Sequence, residues 1–73
     1  MNDLFDEKSV YTVGEVASVL RVSPVTVIRA IRKGRLKALR VEGQWRIPGG
    51  AAMRYLYLET KASLARQQSR IPH

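Results

Sequence analysis

The residues of this chain best suited to chemistry are cations at helical spacing behind a strong helix start. In Ser23-Pro24-Val25-Thr26-Val27-Ile28-Arg29-Ala30-Ile31-Arg32-Lys33-Gly34, serine suits the cap, proline the first helical position and glycine the stop. At about 100° per residue, Pro24, Val27, Ile28, Ala30 and Ile31 gather on one side. Val25, Thr26, Arg29, Arg32 and Lys33 gather on the other, with Arg29 near its centre. The first set is a core face. The second offers an arginine able to hold guanine through two hydrogen bonds, a hydroxyl, and a β-branched group that can meet a thymine methyl. Arg32 and Lys33 belong nearer to phosphates. Taken alone, the same set is also an ordinary solvated basic face.

Catalysis has far less to draw on. There is no cysteine, and the single histidine, His73, is the last residue, which removes Cys/His zinc centres and histidine-activated nucleophiles. The six acids are Asp3, Asp6, Glu7, Glu15, Glu42 and Glu59; three crowd the N-terminus and the others lie far apart, so no working carboxylate pair is expected. The chain reads as a non-enzyme with neither cofactor nor metal.

Charge points to a partner instead. The 73 residues suffice for one small domain, 45% of them are hydrophobic, and the net charge is +7. Residues 1–20 carry Lys8 against four acids, a net of −3, whereas residues 21–73 carry twelve basic residues against Glu42 and Glu59, a net of +10. A strongly basic body suggests a polyanion, nucleic acid first and an anionic membrane second. The membrane reading fits poorly: no apolar run approaches the roughly 18 residues of a span, and the last helix is too mixed for a surface anchor. The acidic start differs from a secretory signal, and zero cysteine fits a reducing cytosol, so a soluble, cytoplasmic protein is expected.

These side chains need elements to hold them. Residues 1–9 show no period and read as a flexible acidic tail; a domain over 10–66 and a frayed end over 67–73 complete the division. Val10-Tyr11-Thr12 is β-prone, and Thr12-Val13-Gly14-Glu15 spells a capping box. Val13, Val16, Ala17 and Leu20 then mark one face of a two-turn helix, broken at Arg21-Val22 before the second helix begins. Two short helices around such a turn outline a helix-turn-helix. Residues 37–41 and 45–48 form a β-hairpin. A three-residue loop at 42–44 is preferred, setting Arg40 opposite Arg46 and placing Leu39, Val41, Trp45 and Ile47 on one face; a two-residue loop would mix apolar and charged residues. Gly49-Gly50 separates the hairpin from a last helix of about 15 residues starting near Ala51. The fold expected is mainly α with a small hairpin: a winged helix-turn-helix with a C-terminal helix.

Paired arginines near the tip of a protruding ribbon suit a narrow minor groove, and like charges set opposite each other cost stability, so Arg40 and Arg46 suggest a use. Their alternative is plain solubility. Trp45 reads as a hairpin core residue rather than a base-stacking platform. The last helix carries two apolar stripes: Ala51, Tyr55, Leu58, Ala62 and Ala65 on one side, and Met53, Tyr57 and Leu64, flanked by Leu56, on another. The hairpin and the first two helices need only one stripe. The second, Met53, Tyr57 and Leu64, is therefore a candidate protein–protein contact.

Tyr11-Thr12-Val13-Gly14-Glu15-Val16-Ala17, Val22-Ser23-Pro24-Val25-Thr26-Val27-Ile28-Arg29, Gly34-Arg35-Leu36, Arg40-Val41 and Trp45-Arg46-Ile47-Pro48 together resemble the excisionase-type winged helix-turn-helix family, related to the DNA-binding heads of MerR-like regulators. The likeness covers about residues 10–58 and is nearest to phage excisionases, or recombination directionality factors, of the mycobacteriophage kind. It implies a DNA-bending accessory protein without catalysis. Such a protein binds double-stranded DNA cooperatively, as neighbouring copies, on a phage attachment-site arm and favours excision by a tyrosine integrase. By the same resemblance Ser23, Val25, Thr26 and Arg29 face the major groove, with Arg32 and Lys33 beside them. The hairpin, with Arg40, Gly43, Gln44 and Arg46, enters the minor groove. Many members carry glycine where this chain has Arg21, and charged residues where it has Gly49-Gly50; the first changes the turn or adds a phosphate contact, and the second is expected to loosen the last helix's start. The alternative within the same fold is a small transcriptional regulator.

Overall fold

The computed structural model describes residues 4–69. The elements run β1 (Val10–Tyr11), α1 (Val13–Leu20), α2 (Pro24–Arg32), β2 (Leu39–Val41), β3 (Gln44–Pro48) and α3 (Gly49–Ser69). This is the winged helix-turn-helix plan the sequence implies, with one added strand pairing. The sheet is antiparallel in the order β1-β3-β2, so β1 closes the free edge of the hairpin through Val10–Pro48 and Tyr11–Ile47 pairs.

Local chemistry sets both helices of the helix-turn-helix. At α1 the capping box is complete: the Thr12 hydroxyl accepts from the Glu15 N–H at 3.0 Å, and the Glu15 carboxylate accepts from the Thr12 N–H at 2.8 Å. The face at i, i+3, i+4 and i+7 points inward, with Val16 and Ala17 buried and Val13 and Leu20 packed at the core's rim. At α2 the Ser23 hydroxyl accepts from the Thr26 N–H at 3.2 Å, Pro24 leads the helix, and Val27 and Ala30 are buried. The two helices end alike. Arg21 and Val22 donate to the carbonyls of Ser18 and Ala17, and Gly34 and Arg35 donate to those of Ile31 and Ala30. The residue that turns left-handed is Arg21 (φ 58°) in the first case and Gly34 (φ 77°) in the second. The second turn delivers Leu36 into the core.

Three expectations are corrected. The first concerns the N-terminal segment, which is not a flexible tail from residue 4 onward. Phe5 is only 1% exposed and meets Tyr11 edge-on, with ring centroids 5.2 Å apart. The Tyr11 hydroxyl accepts from the Asp6 N–H at 2.6 Å, the Asp6 carboxylate accepts from the Lys8 N–H and the Ser9 hydroxyl, and the Asp6 carbonyl accepts from the Ser9 N–H. A lone aromatic among polar residues has no period to betray it, yet it is one of the largest side chains in a core completed by Val16, Ala17, Val27, Ala30, Leu36, Ile47 and Ala52.

The second correction follows from the first. Helix α3 starts at Gly49 rather than near Ala51 and runs for 21 residues rather than about 15. Gly49 does not loosen that start. Its N–H donates to the Ser9 carbonyl at 2.8 Å, and a Cβ there would overlap the Asp6 carbonyl, so the helix can enter only where the side chain is missing. Ala52 is then fully buried, with Ala51, Met53 and Tyr55 around it. Of the end expected to fray, 67–69 continue α3, and 70–73 lie outside the described residues.

The third correction is the hairpin register. The pairs are Leu39–Arg46, Arg40–Trp45 and Val41–Gln44, joined by a two-residue turn, Glu42-Gly43, with φ of 50° and 79°. Two left-handed residues in succession match the right-handed twist of a tight hairpin. Arg40 and Arg46 are therefore not opposite each other. By strand alternation Arg40, Trp45 and Ile47 share the core-side face, while Leu39, Val41, Gln44 and Arg46 share the other. Ile47 is buried, whereas Leu39 is 65% exposed. The wing extends past the core, so apolar burial does not select the register there; turn geometry does.

Candidate nucleic-acid interface

Helix α2 presents the face expected of it. Val25 is 60% exposed, and Thr26, Arg29, Arg32 and Lys33 are exposed beside it. Burial of Val27 and Ala30 on the opposite side fixes the helix's rotation, and the cap fixes where it begins. Ser23 and Thr26 are tied together, hydroxyl to hydroxyl, at 3.0 Å as well as through the cap. The Ser23 hydroxyl therefore organises the first turn, and the hydroxyl of Thr26 is its partner. Among the described residues none of Arg29, Arg32, Lys33, Arg40 or Arg46 lies within ion-pair distance of an acid. Cations left without protein counter-charges on one helix face suit an external polyanion.

The wing divides its candidate residues between two faces. Gly43, Gln44 and Arg46 come together with Thr12, Val13 and Gly14 around a cleft of about 310 Å³ between the hairpin and the start of α1, which Trp45 also borders. Arg40 lies across the ribbon, its guanidinium carbon 5.0 Å from the centre of the Trp45 ring. Trp45 is half-buried, as a hairpin core residue should be, and Arg40 covers part of its face.

A feature without a sequence forecast lies between α2 and α3. Thr26, Arg29 and Lys33 from the exposed side of α2 line a cleft of about 220 Å³ together with Arg35, Tyr55 and Glu59. Arg35 and Glu59 approach to 3.9 Å, both partly exposed. Burial, reinforced by the Glu59 carboxylate and opposed by Arg35, pushes the Tyr55 hydroxyl above its ordinary pKa, so it remains a neutral donor. Tyr55 and Glu59 stand one helical turn apart on α3, and that i, i+4 spacing is the only signal the sequence offered. Arg35 follows the helix stop and belongs to no period.

The second stripe of α3 is only partly free. Met53 is half-buried and packs against the core, so only part of it faces outward. Tyr57 is 64% exposed, and the side chain of Leu64 lies outside the described residues. Among the described residues no helix is long and apolar enough to cross a membrane.

The family model described as a helix-turn-helix domain matches residues 10–56, from β1 into the third turn of α3. No curated protein and no solved structure matches the chain. The matched span holds the capped α1–α2 pair and the whole wing, and the outward side of α2 carries an arginine, a hydroxyl and a β-branched residue, side-chain types suited to base edges. The chain belongs to the helix-turn-helix domain family and is a sequence-specific DNA-binding protein.

Proposed function

We propose that this protein is a DNA-bending accessory factor of the excisionase kind. Helix α2 reads the major groove on a phage attachment-site arm through Val25, Thr26 and Arg29, with Ser23 holding the first turn and Arg32 and Lys33 on flanking phosphates. The wing enters the adjacent minor groove with Gly43, Gln44 and Arg46 on one side and Arg40 on the other. Neighbouring copies bind cooperatively, the bends add, and a tyrosine integrase is steered toward excision. Its place of action is the nucleoid in the cytoplasm of a bacterial host.

The observation that carries the DNA reading is the α2 surface: an exposed arginine, hydroxyl and β-branched residue on a helix whose rotation is fixed by Val27 and Ala30. The excision role draws its support from the resemblance in Ser23-x-x-Thr26-Val27-x-Arg29, Gly34-x-Leu36 and Trp45-Arg46-Ile47-Pro48. Reconstituted excision with the cognate integrase is the test, paired with circularly permuted probes for the bend. Stimulated excision and a bent complex are expected. Tight, unbent binding without effect on excision would refute the excisionase role and leave a small winged-helix transcriptional regulator.

A further inference from the structure

The cleft between α2 and α3 has an unusual composition for a surface otherwise explained. One wall is the reading face itself, through Thr26, Arg29 and Lys33; the other is α3, through Tyr55 and Glu59; Arg35 stands at the turn that joins them. Whatever lies against α2 therefore also lies over this cleft. Three cations converge on it, and its one acid, Glu59, leans toward Arg35. Arg35 and Glu59 also border a second cleft of about 290 Å³ on their far side, where Lys37 and Arg54 add two more cations. The basic surface thus continues from α2 across Arg35 onto α3.

A duplex carries about one negative charge per 1.7 Å along its axis, so a helix seated in its groove brings phosphates alongside both of its flanks. A guanidinium matches a phosphate by two parallel hydrogen bonds, and a neutral tyrosine hydroxyl can donate a further one. At 3.9 Å the Arg35–Glu59 pair is loose and solvated, a contact that can be exchanged for a better one. We propose that this cleft seats a backbone phosphate of the duplex read by α2, gripped by Arg35 beside Lys33 with the Tyr55 hydroxyl as neutral donor, and that Glu59 weakens the grip by competing for Arg35. Arg29 remains free for a base. The seat rests on the reading of α2 as the major-groove helix and extends its footprint to a third element.

Fluorescence-anisotropy titrations on a preferred and a scrambled duplex, across a salt series, test it. Arg35→Gln should weaken both duplexes alike and reduce the salt slope by about 0.9, the signature of one lost phosphate. Glu59→Gln should tighten both by about two- to fivefold at low salt. In the Arg35→Gln background Glu59→Gln should add nothing, which separates competition for Arg35 from a general gain of positive charge. Tyr55→Phe, which keeps the ring, should lower affinity without altering the slope. Thermal midpoints near the parent's would show the fold intact, as expected for an arginine side chain 61% exposed. Slopes and affinities unchanged by Arg35→Gln, with base preference still sensitive to Arg29→Ala, would overturn the seat alone. A parent protein without salt-dependent duplex binding would overturn the seat and the α2 reading together.

Discussion

Truncating Phe5 should come close to unfolding the domain, although nothing near it in sequence marks it as core. Its side chain is 1% exposed and edge-on to Tyr11. Phe→Ala in a packed core costs about 3–5 kcal/mol, because the lost transfer energy is joined by a cavity. Little else is available to refill it, since Gly49 enters against the neighbouring Asp6 carbonyl and Ile47 and Ala52 are already fully buried. At about 0.05–0.15 kcal/mol per residue, a chain of 73 residues holds about 4–11 kcal/mol in all. Phe5→Ala therefore removes between about a quarter of that stability and all of it. Urea unfolding followed by the single tryptophan, Trp45, gives the assay. With a slope of about 1 kcal/mol per molar urea, the midpoint should fall by about 3 M or the protein should be unfolded at the outset. A loss below about 1 kcal/mol, within the range of ordinary surface substitutions and their neighbours, would refute the placement of Phe5 in the core.

Arg21→Gly should raise stability by about 0.5–1 kcal/mol in thermal or urea unfolding, because relief of a left-handed arginine outweighs the extra freedom of the unfolded chain; a loss would count against that turn geometry. Arg40→Ala should cost about 0.5–1 kcal/mol through the lost contact with Trp45, and together with Arg46→Ala it should weaken binding and reduce the bend seen with circularly permuted probes. Tyr57→Glu should abolish cooperative filling of multi-site DNA while single-site affinity and the unfolding midpoint stay close to the parent's. Independent filling by the parent, or an unfolded variant, would show that Tyr57 does not serve neighbouring copies.

The helices were legible because their signals are local. Thr12 with Glu15, and Ser23 with Pro24, are caps whose partners lie three residues away, and the periods of Val16-Ala17 and Val27-Ala30 name their own core face. Two of the misses, Phe5 and the start of α3, originate in contacts that cross the sequence. Phe5 shares its core with Ile47 and Ala52, and Gly49 finds the Asp6 carbonyl, through a fold that no window of residues contains. Gly49-Gly50 looked like a break because glycine is a weak helix former, whereas here its missing side chain is what lets α3 start early. The wing register depended on Glu42 taking a left-handed conformation that glutamate seldom adopts. Once the turn shrank to two residues, Arg40 moved onto Trp45 and away from Arg46. The α2 face survived all of this, since its orientation depends only on Val27 and Ala30. The cleft at Arg35, Tyr55 and Glu59 was hidden because it joins a helix stop to a helix about twenty residues onward.

Base preference in Arg29→Ala tests the central claim most directly. The parent and variant are titrated against a selected duplex and its single-base-pair variants at one salt concentration. Loss of a two-bonded contact to a base should erase about 1–3 kcal/mol of discrimination at one or two base pairs and leave the remaining positions as they were. Arg32→Ala, on the phosphate side, should lower affinity for every duplex by about the same factor. An Arg29→Ala protein that binds more weakly with its base preference intact would contradict the account, because α2 would then be holding the backbone while some other surface reads the sequence.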